Sequence, residues 1–192
     1  PLTDHAALDR ALATHDRVFC AFVFDTAILD ALADRSDRRL SFIHDCVSAL
    51  AADLAQRGGA LIVRHGDARA EIPRLAVELG VSAVHVNTDY EPFALRRDDA
   101  VRGALGAAGI ALKSWKDQVI FEKDEVLSAA GKPFSVFTPY CRAWLKALSP
   151  AELEAYSGAG PGRLLAPPAV QTIPSLAELG FAASPLPLPG GE

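Results

Sequence analysis

Apolar runs alternate with amphipathic segments along the first two thirds of the chain. Residues 17–24 (RVFCAFVF) form an apolar run rich in aromatic and β-branched side chains, which is typical of a parallel strand buried on both faces. From residue 38 to 57 the apolar side chains recur every three or four positions, which predicts a helix of about five turns. Ser36 or Asp37 can cap its start, and Gly58 is suited to end it.

The same alternation continues toward residue 115. Further strands are predicted over residues 60–64, 82–87 and 110–115, and further helices over residues 72–79 and 91–108. Strands and helices that alternate with short connections favour right-handed β-α-β units. The predicted fold class is therefore α/β: a doubly wound, Rossmann-like parallel sheet with helices on both faces.

The regularity weakens after about residue 122, where prolines interrupt the pattern. One more helix is predicted over residues 140–148, and the following stretch is dominated by Ala, Pro, Gly and Leu. Such a composition is typical of an extended linker. We therefore divide the chain into an α/β domain over residues 1–148 and a linker over residues 149–192, and we expect the apolar linker to lie against a neighbouring domain.

Composition restricts the class of protein. The 192 residues are 50% hydrophobic and 22% charged, as in a globular protein, and carry a net charge of −5. This balance argues against a DNA-binding surface on this chain alone, since duplex binding usually relies on Lys and Arg. The three cysteines lack zinc-ligand spacing and are interpreted as reduced thiols of a cytoplasmic protein. Neither an apolar run of about 18 residues nor a signal peptide is evident, so no membrane association is expected.

Polar clusters follow two of the predicted strands. The first covers residues 24–29 and precedes a group of arginines that includes Arg39, and the second covers residues 87–91. Ligands of open parallel sheets bind at the carboxyl ends of the strands, so a planar heteroaromatic ligand could lie between the clusters, with an Arg over an anionic edge. Alternatively, Asp25 and Asn87 cap helices or turns, and the arginines form a solvated face. Spacing alone favours this second interpretation.

No catalytic or metal-binding motif is present in the sequence. The glycine-rich stretch 158–163 follows no predicted strand and lacks the Gly-Lys-Ser/Thr of a phosphate loop. There is no Gly-x-Ser-x-Gly turn and no His-Glu-x-x-His pair. The residues by themselves therefore assign no reaction.

Several segments, in order, resemble one known family. They are residues 87–98 (NTDYEPFALRRD), 116–121 (KDQVIF), 131–144 (GKPFSVFTPYCRAW), 173–181 (IPSLAELGF) and 189–192 (PGGE). Over essentially its whole length the chain resembles the N-terminal, antenna-binding α/β domain of the DNA photolyase/cryptochrome family. The resemblance implies the light-driven repair of pyrimidine dimers by a lyase. It also implies a separate FAD-binding helical domain, which would be the partner of this chain and would contact the damaged DNA.

The resemblance also implies a pocket for an antenna chromophore. Its residues would be Phe24, Asp25, Ile28, Leu29, Arg39, Asn87, Asp89 and Glu91, with Arg39 and Asp89 the two principal ones. An 8-hydroxy-5-deazaflavin or FMN is favoured over methenyltetrahydrofolate, because Phe93 and Ala94 stand where a folate-type antenna would need a polar pair.

The chain departs from the family pattern at both ends. The family begins with a strand in the middle of the sheet, and this sequence starts after it, near Leu2. The FAD-binding domain is also missing, so we expect no dimer repair by this polypeptide alone. Three alternatives stay open: a cryptochrome photoreceptor domain, a generic nucleotide-binding α/β domain, and a docking module without a ligand.

Overall fold

A computed structural model describes residues 2–160, 162–167 and 172–185. The helices are α1 (Ala6–Thr14), α2 (Thr26–Leu29), α3 (Arg38–Gln56), α4 (Ala68–Leu79), α5 (Pro92–Ala107) and α6 (Phe137–Ala147), with 3-10 turns at Lys123–Glu125 and Pro150–Leu153. The strands are β1 (Arg17–Val18), β2 (Cys20–Asp25), β3 (Leu61–Gly66), β4 (Ala83–Asn87), β5 (Ala111–Trp115) and β6 (Arg163–Leu164). In these ranges no helix is both long enough and apolar enough to cross a membrane.

Parallel strand pairs form the centre of the fold. Strand β2 pairs with β3, and β4 pairs with β5. The α/β class with parallel strands is therefore confirmed. Residues 61 and 63 of β3 pack into a core with α1 and α3, whereas residues 84 and 86 of β4 pack with α4 and α5. Helices thus cover both faces of the strands, as the alternation of apolar patterns predicts.

The helix boundaries follow local sequence signals closely. Asp37 caps α3 by accepting a hydrogen bond from the backbone N–H of Arg39. Gly80 ends α4 in the left-handed conformation, with φ of 61°, which glycine adopts without a steric penalty. Helix α6 starts at Phe137, three residues before the predicted start at Tyr140.

Two elements near the amino terminus differ from the prediction. Helix α1 was not predicted, although its buried Leu8, Ala11 and Leu12 have helical spacing. The single strand predicted over residues 17–24 is wrong in detail, because it breaks at Phe19 into β1 and β2. Strand β1 pairs with β6, in the register Arg17 with Arg163, whereas β2 pairs with β3. The two halves of the predicted strand therefore have different partners, and the partner of Arg17 is 146 positions away.

Part of the predicted linker packs on the domain. Leu179 and Phe181 are each only 5% exposed in the core with α1 and α3, and the Arg35 guanidinium lies 4.9 Å from the centre of the Phe181 ring. Residues 168–171 and 186–192 of that segment lie outside the described residues. The division of the chain at residue 148 stays a prediction.

A cavity of about 500 Å³, here named the central slot, lies between the two strand pairs. It is bordered by residues 20–21 of β2, by Ser82 and residues 83–85 of β4, and by apolar side chains of α1, α3 and α4. Within the described ranges β2 and β4 do not pair with each other. The described strands β2 to β5 therefore form two separate parallel pairs.

Candidate functional site

The predicted site residues lie at the carboxyl ends of β2 and β4. Asp25 is the last residue of β2 and is paired in register with Gly66 of β3. Asn87 is the last residue of β4 and is paired in register with Trp115 of β5. The predicted residues therefore fall into two groups, one on each strand pair.

Asp25 is a buried carboxylate with only one satisfied oxygen. Its Oδ1 accepts hydrogen bonds from the backbone N–H of Ala27 at 3.0 Å and of Ala68 at 3.3 Å. These bonds cap α2 and connect β2 to the start of α4. Its Oδ2 is buried and has no hydrogen-bond partner among the described residues. A buried acceptor in this state is costly, and a donor group of a ligand would satisfy it.

The apolar residues beside Asp25 differ in accessibility. Phe24 is 2% exposed and Leu29 is 6% exposed, and both lie in the core with α1 and α3. Ile28 is 45% exposed. Phe24 and Leu29 can therefore support a site from beneath, whereas Ile28 offers open apolar surface to a ligand.

Arg39 is exposed and forms an ion pair with Asp37, two residues before it. Its Nε and Nη2 donate to both carboxylate oxygens of Asp37, at 2.5–3.1 Å. The same arrangement recurs at the start of α4, where Arg69 donates to Asp67. Hydrogen bonds from the arginine hold the pKa of Asp37 below its usual value and that of Asp67 at about 2. The local contacts of Arg39 are therefore those of a helix-start pair, which agrees with the alternative interpretation of the arginines.

Asn87 uses both polar atoms of its side chain to hold α1. Its Oδ1 accepts from the backbone N–H of Ala7 at 2.9 Å, and its Nδ2 donates to Asp117 Oδ2 at 2.8 Å. Asp117 Oδ1 in turn accepts from the N–H of Ala6 at 2.8 Å. His5 completes the cluster as the N-cap residue, with Nδ1 accepting from Leu8 N–H. The cluster satisfies backbone donors at the helix start, which otherwise lack partners.

One partner of Asn87, Asp117, has a weak signal in the sequence. Asp117 follows β5 by two residues, and Asn87 pairs in register with the end of that strand. Two neighbouring parallel strands place their following residues at one edge. Burial lowers the pKa of His5, against the opposing effect of the Asp117 charge.

Asp89 and Glu91 lie in the loop that leads into α5. Asp89 Oδ1 accepts from the N–H of Glu91 at 3.0 Å, and Glu91 is exposed and makes no side-chain cap. Between them, the Tyr90 hydroxyl donates to Glu122 at 3.1 Å. Burial and the hydrogen bond with Glu122 raise the pKa of Tyr90 to about 12. The Asp89 and Glu91 carboxylates are thus available at the rim of this edge.

A pair of histidines lies between β4 and α1, and it was not predicted. Trp115 Nε1 donates to His85 Nδ1 at 3.1 Å, and His85 Nε2 lies 3.1 Å from His15 Nε2. Because Nδ1 of His85 accepts, its Nε2 carries the proton and His15 Nε2 is the acceptor. Burial lowers the pKa of His85 to about 4, and the charges of His15 and Lys113 act in the same direction. Across the described residues, no three His, Cys, Asp or Glu side chains form a metal site.

Comparisons with known proteins agree on one family. Residues 2–158 match the sequence profile of the DNA photolyase family. A deoxyribodipyrimidine photo-lyase of Synechococcus is 34% identical over 195 aligned positions, which cover 94% of this chain and 38% of the relative. This chain therefore spans about two fifths of that protein.

Solved structures share the fold. An archaeal photolyase from Sulfolobus tokodaii, reported with two FAD molecules and an implied novel light-harvesting cofactor, is 23% identical with a TM-score of 0.73 and is aligned over 99% of this chain and 41% of its own. A Synechocystis cryptochrome is 18% identical with a TM-score of 0.79, over 99% of this chain and 41% of its own. By its sequence match over residues 2–158, the chain belongs to the DNA photolyase family.

Proposed function

We propose that this chain is the antenna-chromophore-binding domain of a light-driven deoxyribodipyrimidine photolyase. The observation that carries the proposal is the unsatisfied Oδ2 of Asp25, buried at the carboxyl end of β2. Ligands of parallel sheets bind at this end of the strands. A flavin or deazaflavin ring system carries an imide N–H and ribityl hydroxyls, and each of these is a donor that a carboxylate accepts.

The remaining residues would hold the chromophore by complementary chemistry. Ile28 offers exposed apolar surface to the ring, the Arg39 guanidinium suits a carbonyl or phosphate edge, and Asp89 and Glu91 accept hydrogen bonds from ribityl hydroxyls. When bound, the chromophore would absorb light and pass the excitation energy to the flavin of the helical domain. The two cofactors reported for the Sulfolobus relative support this type of chromophore. An 8-hydroxy-5-deazaflavin or FMN is proposed in preference to methenyltetrahydrofolate.

Titration of the purified chain with FMN and with 8-hydroxy-5-deazaflavin tests the proposal. Asp25→Asn keeps the Oδ1 acceptor for Ala27 and Ala68 but replaces Oδ2 by a donor. A lost charged hydrogen bond is worth about 1.5–3 kcal/mol, so the dissociation constant should rise roughly 10- to 100-fold. Saturable binding that Asp25→Asn leaves unchanged, or no binding of either compound, would contradict the proposal.

Arg39 has a matched control within the chain. Arg39→Gln and Arg74→Gln each remove an exposed arginine from a surface ion pair on a helix. Both changes should alter stability equally, by at most about 1 kcal/mol for exposed pairs. Only Arg39→Gln should weaken chromophore binding. Equal loss of affinity in both variants would remove Arg39 from the proposed site.

We also propose that the FAD-binding helical domain docks on the segment that follows β5. No side chain from residue 113 to 160 is buried. Even large apolar side chains of α6 are exposed there, Phe137 by 75% and Leu145 by 59%. An apolar helix face of this kind is typical of an interface. Phe137→Glu with Leu145→Glu should abolish co-elution with the separately expressed helical part of the Synechococcus relative. Phe93→Glu, at another exposed phenylalanine, is the control.

A further inference from the structure

Helix α1 is in contact with two regions of the chain that are far apart in the sequence. At its start, Asn87 Oδ1 accepts from Ala7 N–H at the end of β4. Asp117, which follows β5, accepts from Ala6 N–H. The helix has nine residues, and a helix of this length is not stable by itself in water. Its order therefore depends on contacts that other parts of the chain supply.

The second region is a glycine-rich segment, here named the strap (residues 156–160 and 162–165). Asp9 Oδ1 accepts from Gly158 N–H at 3.2 Å, in the first turn of α1. Toward the end of the helix, the Leu12 carbonyl oxygen accepts from Gly162 N–H at 2.9 Å. The strap then continues into β6, which pairs with β1. Hydrogen bonds therefore hold the strap along the length of α1.

The backbone of the strap approaches α1 too closely for side chains. A Cβ on Gly160 would lie 2.5 Å from the Leu12 carbonyl oxygen, and one on Gly162 would lie 2.3 Å from the His15 carbonyl oxygen. Glycine is the residue that permits such a close approach of two backbones. The glycine-rich composition of this stretch is thus explained by its contact with α1. Because no flexible side chain lies between the two backbones, a shift of α1 also moves or releases the strap.

We propose that α1 couples the carboxyl ends of β4 and β5 to the strap, so that the contacts of Asn87 and Asp117 control how often the strap detaches. Loss of these contacts leaves backbone donors in the first turn without partners, and the turn that carries Asp9 then frays. The acceptors of the strap lose their positions when this turn opens. Such a coupling is reciprocal, so release of the strap loosens the start of α1 by the same factor. It requires no ligand and does not rest on the proposed chromophore.

Hydrogen exchange of the whole chain, followed at single amides by NMR, tests the coupling. Asn87→Ala should speed the exchange of the Gly158 and Gly162 amides by about fivefold, the factor that corresponds to the loss of one hydrogen bond. Asp89→Ala is the matched control. Asp89 also follows β4, but its side chain accepts from Glu91 N–H and not from α1. This variant should leave the exchange of the strap unchanged.

Two amides outside the strap distinguish coupling from a general loss of stability. Phe181 N–H donates to the Leu176 carbonyl oxygen, and Ala182 N–H donates to the Arg35 carbonyl oxygen. In Asn87→Ala, the amides of the strap should be accelerated by a larger factor than these two. Equal acceleration of all these amides would mean that the chain is destabilised as a whole. That result, or unchanged exchange of the strap, would overturn the proposal.

Asp9→Ala tests the reverse direction and leaves the ends of the strands intact. It removes the acceptor of Gly158 N–H, so exchange of the Ala6 and Ala7 amides should accelerate. Asp9→Asn keeps an oxygen acceptor at this position and should restore most of the protection. In the variant that combines Asn87→Ala with Asp9→Ala, the acceleration of the strap should be smaller than the product of the two separate factors. Unchanged exchange of Ala6 and Ala7 in Asp9→Ala, or factors that simply multiply in the combined variant, would show that the two ends of α1 are independent and would overturn the proposal.

Discussion

Removal of the Asn87 side chain tests whether this residue holds the fold together. Asn87 Oδ1 accepts from Ala7 N–H at 2.9 Å, and Nδ2 donates to the Asp117 carboxylate at 2.8 Å. A neutral hydrogen bond contributes about 1 kcal/mol and a bond to a charged group about 1.5–3 kcal/mol. Because the cluster is only partly buried, we take the lower ends of these ranges. Asn87→Ala should lower the free energy of unfolding by roughly 2–3 kcal/mol.

Urea unfolding followed by far-ultraviolet circular dichroism measures this loss, with Asp89→Ala as the control. Asp89 also follows β4, but its side chain accepts a single exposed hydrogen bond, from Glu91 N–H. Its removal should cost about 0.5–1 kcal/mol. A loss in Asn87→Ala that is no larger than the loss in Asp89→Ala would refute the reasoning.

Two further variants distinguish the loss of the Asn87–Asp117 hydrogen-bond network from a general loss of stability. Asp117→Ala combined with Asn87→Ala should be less destabilising than the sum of the single changes, because both remove one shared bond. Asn87→Asp keeps an acceptor for Ala7 but places a second carboxylate beside Asp117. Two adjacent carboxylates repel each other unless they share a proton, so this variant should be less stable at pH 7 than at pH 5, relative to the unchanged chain.

Three other predictions concern pH, thiol chemistry and glycine positions. Burial lowers the pKa of His85 from 6.5 to about 4 and also lowers that of His5. Below pH 6.5 the unfolded chain therefore takes up protons at these histidines before the folded chain does, so the free energy of unfolding should be highest above pH 6.5 and fall as the pH drops toward 4. In urea unfolding experiments between pH 4 and 6.5, His85→Gln should reduce this pH dependence of the free energy of unfolding. Burial raises the pKa of Cys20 from 9.0 to about 11, so at pH 8 a thiol reagent should label Cys20 about 100-fold more slowly than free cysteine. A Cβ on Gly162 would lie 2.3 Å from the His15 carbonyl oxygen, whereas one on Gly106 meets nothing within 4 Å; Gly162→Ala should lower the thermal midpoint, and Gly106→Ala, inside α5, should raise it slightly.

Local signals predicted the regular part of the fold well. Helix α3 follows from its apolar spacing, its cap at Asp37 and the glycines after Arg57. Strand β3 and helix α4 follow from an apolar run and from Gly80. Each of these signals acts over a few residues. The break at Phe19 has no such signal, because β1 is selected by a partner near Arg163.

The roles of the candidate residues depended on contacts that are distant in sequence. The sequence placed Asp25 and Asn87 at equivalent positions, each at the end of a strand. The amide of Asn87 meets Ala7, 80 positions away, and Asp117, 30 positions away. Neither contact can be predicted from the hydrophobic pattern of a single strand.

Asp25 and Asn87 therefore occupy equivalent backbone positions, but their side chains differ in how far they are satisfied within the chain. Asn87 satisfies both its oxygen and its nitrogen within the chain, so a ligand could use the amide only by breaking contacts that hold α1. Asp25 keeps one buried oxygen unsatisfied, and a ligand that donates to it would remove a cost that the folded chain otherwise bears. Chromophore binding should consequently stabilise the fold through Asp25, and at the same concentration of FMN or the deazaflavin the gain in thermal midpoint should be smaller in Asp25→Asn. In Asn87→Ala the midpoint should start lower, and the gain should persist.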